Sequence, residues 1–204
     1  MKADSFYQQV TEGAAQPPHE RHKLFSELHS QVVIEYLATL RKITPDLANQ
    51  VVAGGADHRT LTQVVGHIAA WEQFTILAAG DILAGVQHPR LVTSVDGFID
   101  ADGQTLNFPT IHAFNAYQAA KQAGWSWQQV LELAKHTATT LHLFFTHPLL
   151  LSAERLESTR SFRKRLENGT VINNVAMGWN LWITLLEHEA VEHAAELEMD
   201  QVSR

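Results

Sequence analysis

Residues 60–83, TLTQVVGHIAAWEQFTILAAGDIL, decide the fold class of this chain. Thr60 and Gln63 form the capping-box pattern that starts an α-helix, and an apolar run follows directly. Apolar side chains then recur every three or four residues, which is the period of an amphipathic helix. The stretch therefore predicts a long helix with one face in a core, continuing to about Val86.

Three further segments show the same helical period. We expect long helices over His19 to Ile43, Ser126 to Thr146 and Val175 to Met199. The second of these begins with another capping box, formed by Ser126 and Gln129. A shorter helix is expected between Phe108 and Ala123.

The remaining segments predict connections. Residues 1–18 are expected to be an N-terminal lead-in, residues 44–59 a connector that contains Gly54-Gly55, and residues 88–108 a long loop. Asn168-Gly169 predicts a turn. Four long amphipathic helices without a convincing strand predict an all-α four-helix bundle. We expect one domain over residues 1–204, with a long connection between the second and third helices.

The composition excludes several classes of protein. The chain has 15 Lys and Arg against 22 Asp and Glu, and this net charge of −7 disfavours nonspecific nucleic-acid binding. It has no cysteine, so any metal must be held by nitrogen and oxygen ligands. The chain has no run of about 18 apolar residues, so we expect no membrane span. The N-terminus lacks the apolar segment of a secretory signal, so we expect a cytoplasmic protein.

Polar side chains lie on the predicted core faces of two helices. Successive residues of an α-helix are turned by about 100°, so their directions can be compared. His67 projects beside the apolar stripe of the second helix, close to Trp71 and Phe74, which we expect to line a pocket. On the last helix, Glu189 and His193 project to the apolar stripe one turn apart.

The same projection turns His188 and Glu192 toward solvent. The segment HEAVEH, residues 188–193, has one residue too many for a zincin motif, so its two histidines are not expected to share a helix face. We therefore predict a cluster of His67, Glu189 and His193. Such a set can hold Zn, Ni, Fe or Mn and leave positions open for water or substrate. The alternative is a buried acid–base pair without a metal.

The motifs HIAAWE, residues 67–72, and EAVEHAAEL, residues 189–197, resemble those of the DinB/YfiT-like superfamily. Members of that group often carry one histidine early in the second helix and an HxxxH pair on the last long helix. Here Glu189 stands in place of the first histidine of that pair. Residues 60–141, which include FNAYQAAKQAGWSWQQVLELA, are similar to the ClbS/DfsB branch. The resemblance implies an up-down-down-up bundle, often dimeric, with a metal at His67, Glu189 and His193.

Relatives of this kind include thiol-dependent transferases that use bacillithiol or mycothiol, and proteins that detoxify small molecules. The resemblance therefore implies a small-molecule transferase or hydrolase that uses a divalent metal and a low-molecular-weight thiol. Two other functions stay open. One is a metal-free protein of the ClbS/DfsB type that sequesters a reactive small molecule. The other is an interaction protein whose apolar helix faces form a homodimer.

Overall fold

The chain is mostly helical in a computed structural model, which describes residues 1–52, 59–91 and 94–197. The α-helices are α1 Ala3–Ala14, α2 Pro18–Leu40, α3 Pro45–Ala48, α4 Leu61–Leu83, α5 Ile111–Lys121, α6 Trp127–Thr146, α7 Ala153–Glu157, α8 Met177–Glu187 and α9 Ala194–Leu197. A π-helical turn, His188–Glu192, joins α8 to α9. Two antiparallel hairpins pair β1 Val95–Ile99 with β2 Thr105–Phe108, and β3 Ser161–Arg165 with β4 Val171–Ala176.

Both predicted capping boxes are confirmed. The Thr60 hydroxyl accepts a hydrogen bond from the backbone N–H of Gln63, and the Gln63 side chain accepts one from the backbone N–H of Thr60. Ser126 and Gln129 make the same reciprocal pair at the start of α6. Each box satisfies backbone donors that a helix start otherwise leaves without partners, which fixes where α4 and α6 begin.

The long helices α2, α4 and α6 lie close to the predicted ranges, and together with the shorter α8 they form the core. Helix α4 packs along α6 and also contacts α8, and α6 packs on α2. Trp179 and Trp182 of α8 are fully buried and stack on each other, with ring centroids 6.0 Å apart. No helix within the described ranges combines the length and the apolar character needed to cross a membrane.

The prediction of a lead-in over residues 1–18 is wrong, because these residues contain α1. Phe6, Tyr7 and Val10 lie on one face of α1 and are buried in the main apolar cluster. Helix α2 then begins at Pro18, where the missing N–H of proline costs no hydrogen bond. Polar and small residues around this short apolar face conceal the helix in the sequence.

The prediction of no strands is also wrong. The expected loop of residues 88–108 contains the hairpin β1–β2, in which a bulge at Gly97 puts this glycine at φ 76°. Because of the bulge, the buried side chains Val95 and Phe98 are three residues apart, and the two-residue alternation typical of a strand is lost. The predicted turn at Asn168-Gly169 is confirmed as the connection between β3 and β4. The expected Gly54-Gly55 connector lies outside the described residues.

The last helix is not the continuous α-helix that we expect over Val175 to Met199. Helix α8 ends at Glu187, and the next five residues form the π-helical turn. The chain then returns to α-helical geometry in α9, and Met199 lies outside the described residues. This interruption determines which side chains the segment presents to the core.

Two helical glycines are expected to respond oppositely to substitution by alanine. A Cβ atom at Gly178 would lie 2.8 Å from the backbone Cα and O of Leu156, whereas a Cβ at Gly80 would meet no atom within 4 Å. Gly178→Ala should therefore lower the free energy of unfolding by about 1–3 kcal/mol. Gly80→Ala should raise it by about 0.5–1 kcal/mol, because alanine favours the helix. Urea denaturation of both variants measures the difference, and stabilisation by Gly178→Ala would contradict the close packing of α7 on α8.

Candidate metal centre

Three histidines from two parts of the chain meet in one cluster. His67 lies on α4, His188 begins the π-helical turn, and His193 follows its last residue. One ring nitrogen from each histidine lies within 4.8 Å of the others. The ring centroids are 5.0 Å apart for His67 and His193, and 4.6 Å apart for His188 and His193.

The π-helical turn brings His188 and His193 to the same side. Residues five apart in an α-helix diverge by about 140°, because each residue turns by about 100°. A π-helix closes its hydrogen bonds from i to i+5, so residues five apart lie about one turn apart. The Nε2 atoms of His188 and His193 are accordingly only 3.1 Å apart.

The structure therefore differs from the predicted cluster in its third member. It brings His67 and His193 together as expected, but it places His188 beside them and turns Glu189 to another part of the core. The expectation that His188 faces solvent is wrong, because its ring packs against both other histidines. Glu192 is exposed, as expected. The projection fails here because the turn of about 100° per residue holds only for an α-helix.

Glu196 and Arg59 orient His193 from behind. The Nδ1–H of His193 is paired with the Glu196 carboxylate, and the other oxygen of that carboxylate accepts a hydrogen bond from Arg59 at 2.9 Å. With its proton held at Nδ1, His193 presents the lone pair of Nε2 to the cluster. A carboxylate behind a histidine is the usual outer partner of a metal-ligating imidazole.

The cluster keeps its imidazoles neutral near pH 7. Burial, followed by the nearby His193 and Arg59, lowers the pKa of His67 to about 4. Burial and the two other histidines hold the pKa of His188 well below its usual range. Burial also lowers the pKa of His193, although the Glu196 carboxylate opposes that shift. Neutral imidazole is the form that binds a metal ion.

These three histidines could hold a divalent metal ion. Two nitrogens that bind one tetrahedral ion at about 2.0–2.1 Å lie about 3.3 Å from each other. The 3.1 Å between the Nε2 atoms of His188 and His193 is close to that spacing. Three nitrogen ligands leave one position of a tetrahedral ion open.

A cavity of about 1030 Å³ opens onto the three histidines. Trp71 lines it as predicted, and its indole N–H donates a hydrogen bond to Asn115 at 3.1 Å. The expectation for Phe74 is wrong. Phe74 is fully buried beneath the cavity wall, with its ring 5.3 Å from that of Phe114. It supports the wall and does not line the cavity.

Glu189 lies instead beside a second buried carboxyl group, Glu72 of α4. The two groups are within hydrogen-bonding distance, and the Thr137 hydroxyl donates a hydrogen bond to Glu72. Burial raises the pKa of Glu72 to about 7, and burial with the neighbouring Glu72 holds the pKa of Glu189 well above its usual range. The sequence gives no sign that Glu189 is the neighbour of Glu72.

Comparisons with protein-family models, with curated proteins and with solved structures find no match. The DinB-like resemblance therefore stays a prediction that rests on the motifs around His67 and His193. The clearest indication of a site on this chain is the histidine cluster itself.

Proposed function

We propose that this protein is a metal-dependent transferase or hydrolase that acts on a small organic molecule. The observation that supports the proposal is the placement of three neutral imidazoles at the wall of a large cavity. His67, His188 and His193 would hold the ion, with Zn, Ni, Fe and Mn as the candidates. When bound, such an ion would lower the pKa of a thiol or a water molecule enough to make it a nucleophile near neutral pH.

The protein's own groups would position the substrate. Trp71 and Asn180 lie at the wall of the cavity, and Trp71 offers an apolar surface close to the histidines. The described lining contains Asp96, Glu167 and Glu192 but no Lys or Arg, which favours a neutral or cationic substrate. We propose a low-molecular-weight thiol as the co-substrate.

Elemental analysis tests the proposal directly. The purified protein, supplemented in turn with Zn, Ni, Fe and Mn, is expected to retain one equivalent of metal per chain after desalting. His67→Ala and His193→Ala should each lose it, because two imidazoles hold an ion far less tightly than three. Full metal retention by both variants would place the metal elsewhere and overturn the proposed site.

Glu196→Gln should weaken the metal site without abolishing it. Glutamine keeps an oxygen that can accept the Nδ1–H of His193, but it lacks the negative charge that makes this imidazole a better ligand. We expect metal affinity to fall by about 10–100-fold, as for other outer-shell partners. Competition with a fluorescent chelator measures the change. Unchanged affinity would show that Glu196 serves only the ion pair with Arg59.

A metal-free binding protein is the second candidate, and one observation favours it. His193 already has partners on both ring nitrogens, Glu196 on Nδ1 and His188 on Nε2. The hydrogen-bonding positions of His193 are therefore occupied without an ion. In that case small aromatic fragments should raise the melting temperature equally with and without EDTA. A stabilisation that EDTA removes would exclude this candidate.

We also propose that the long helices α2, α4, α6 and α8 form the up-down-down-up four-helix bundle of the DinB-like group. Their mutual packing supports this arrangement. A homodimer is part of the same proposal. Light scattering coupled to size-exclusion chromatography at micromolar concentration tests it, and a mass of one chain would exclude the dimer.

A further inference from the structure

The mouth of the cavity at the histidines carries three carboxylates from separate parts of the chain. Asp96 lies on β1, Glu167 lies in the turn between β3 and β4, and Glu192 ends the π-helical turn. All three line the cavity and are exposed, so they lie where the cavity meets solvent. Glu167 and Glu192 are close enough for their negative charges to repel each other.

The basic side chains near this mouth are paired with other carboxylates. Lys164 lies close to Glu192, but its ammonium group contacts the buried Glu187 carboxylate at 3.2 Å. Arg90, whose guanidinium reaches the backbone of β1, is paired with Asp81 at 2.7 Å. Within the described ranges, none of the three carboxylates at the mouth takes part in an ion pair. Their charge is therefore available to a ligand.

The rest of the cavity wall supplies an aromatic ring and no basic side chain. Trp71 lines the cavity, and its indole N–H is already donated to Asn115. Its ring is left for apolar contact and for contact with a cation. In the part of the chain that the structure describes, no Lys or Arg lines this cavity. A divalent ion at the three neutral imidazoles would still leave the lining with a net negative charge.

We propose that the substrate of this cavity is an organic cation with a protonated amine, whose ammonium group binds beside Glu167 and Glu192. The inference rests on the proposed function, because it names the substrate class of the same cavity. An ammonium group offers three N–H donors, and carboxylates are strong acceptors for them. A cation between two like charges also relieves their repulsion. A cleft lined by one sign of charge concentrates ligands of the opposite sign and repels anions.

Calorimetric titration of the full chain with phenethylammonium chloride tests the proposal, in a buffer of low salt that contains EDTA and no amine. We expect saturable binding of one equivalent with a dissociation constant of about 1 mM or lower. The binding should weaken as salt is added, because salt screens exposed charges.

Two compounds of the same shape serve as matched ligands. 2-Phenylethanol lacks the charge and should bind more weakly by about tenfold or more, and 3-phenylpropionate carries the opposite charge and should not bind. Equal affinity for the amine and the alcohol would overturn the proposal. Tighter binding of the carboxylate, or no saturable binding of the amine, would also overturn it.

Three variants locate the binding. Glu167→Gln and Glu192→Gln should each weaken phenethylammonium binding by about three- to tenfold and leave 2-phenylethanol binding unchanged. Glu27→Gln is the matched control, because it makes the same change in net charge on an exposed position of α2, which does not line the cavity. It should bind the amine as the wild type does. An equal loss in Glu27→Gln would reduce the effect to net charge and overturn the assignment to the mouth.

Folding and metal content separate this inference from the metal centre. Each variant is checked by its unfolding transition, and Glu167→Gln carries the test if Glu192→Gln disturbs the π-helical turn. Because EDTA is present, binding of the amine does not depend on a metal ion. Amine binding by a protein that retains no metal would overturn the metal centre alone. Metal retention by a protein that does not distinguish the three ligands would overturn this inference alone.

Discussion

His188→Ala is expected to abolish stoichiometric metal binding, whereas Glu189→Gln is expected to leave it intact. His188 contributes one of three ring nitrogens that lie within 4.8 Å of one another, whereas Glu189 lies beside Glu72 and is not part of that cluster. Removal of one of three ligands should weaken metal affinity by more than about 100-fold, beyond the loss typical of an outer-shell change. Metal content after desalting and chelator competition both measure the effect.

The two substitutions form a matched pair because they alter neighbouring residues of the same turn. Each protein must first show a cooperative unfolding transition, so that loss of metal is not loss of structure. Metal loss in Glu189→Gln with retention in His188→Ala would contradict the π-helical geometry. That outcome would restore the cluster that an uninterrupted α-helix predicts.

Glu72→Gln is expected to stabilise the fold at pH 8 and to have little effect at pH 4.5. The folded-state pKa of Glu72 is raised to about 7 by burial, above the ordinary value of 4.5. A raised pKa means that the wild-type side chain supports folding below pH 4.5 and that this contribution is lost as the pH rises through 7. Glutamine does not ionise, so the variant avoids the loss. We expect a gain of about 1–3 kcal/mol in the free energy of unfolding at pH 8.

Urea denaturation at pH 4.5, 6 and 8, in buffers without amines, measures this gain. Glutamine retains an oxygen for the Thr137 hydroxyl, and its new amide N–H group can donate to the neighbouring Glu189 carboxyl group. Glu132→Gln is the control, because Glu132 is exposed on α6 and should change stability by less than about 0.5 kcal/mol at every pH. A constant difference between Glu72→Gln and the wild type across this range would contradict the raised pKa.

The sequence predicts the parts of the fold that depend on local signals. The capping boxes at Thr60 and Ser126 fix two helix starts, and the apolar period marks the long helices. His67 is correctly placed among core residues for the same reason. The bulge at Gly97 hides β1, because its buried residues are three apart and carry no strand period.

The candidate site could be predicted only in part, because its geometry depends on one non-α turn. His67 and His193 are found from the apolar stripes of their helices. His188 is missed, because a spacing of five residues joins two side chains only on a π-helix. The spacing in HEAVEH is the signal that could have identified it. That spacing indicates a π-helical turn only when a third histidine is known to lie nearby.

The π-helical turn also bears on how sites of this kind are found in other sequences. In a chain one residue shorter between its two histidines, the pair would be four residues apart and would meet on an ordinary α-helix. The spacing HxxxH on an α-helix and the spacing HxxxxH on a π-helical turn can therefore bring two imidazoles to the same side of a helix. The π-helical turn accommodates the extra residue. A sequence search that requires the two histidines to be four residues apart misses chains like this one. A search that tolerates a single inserted residue retains them.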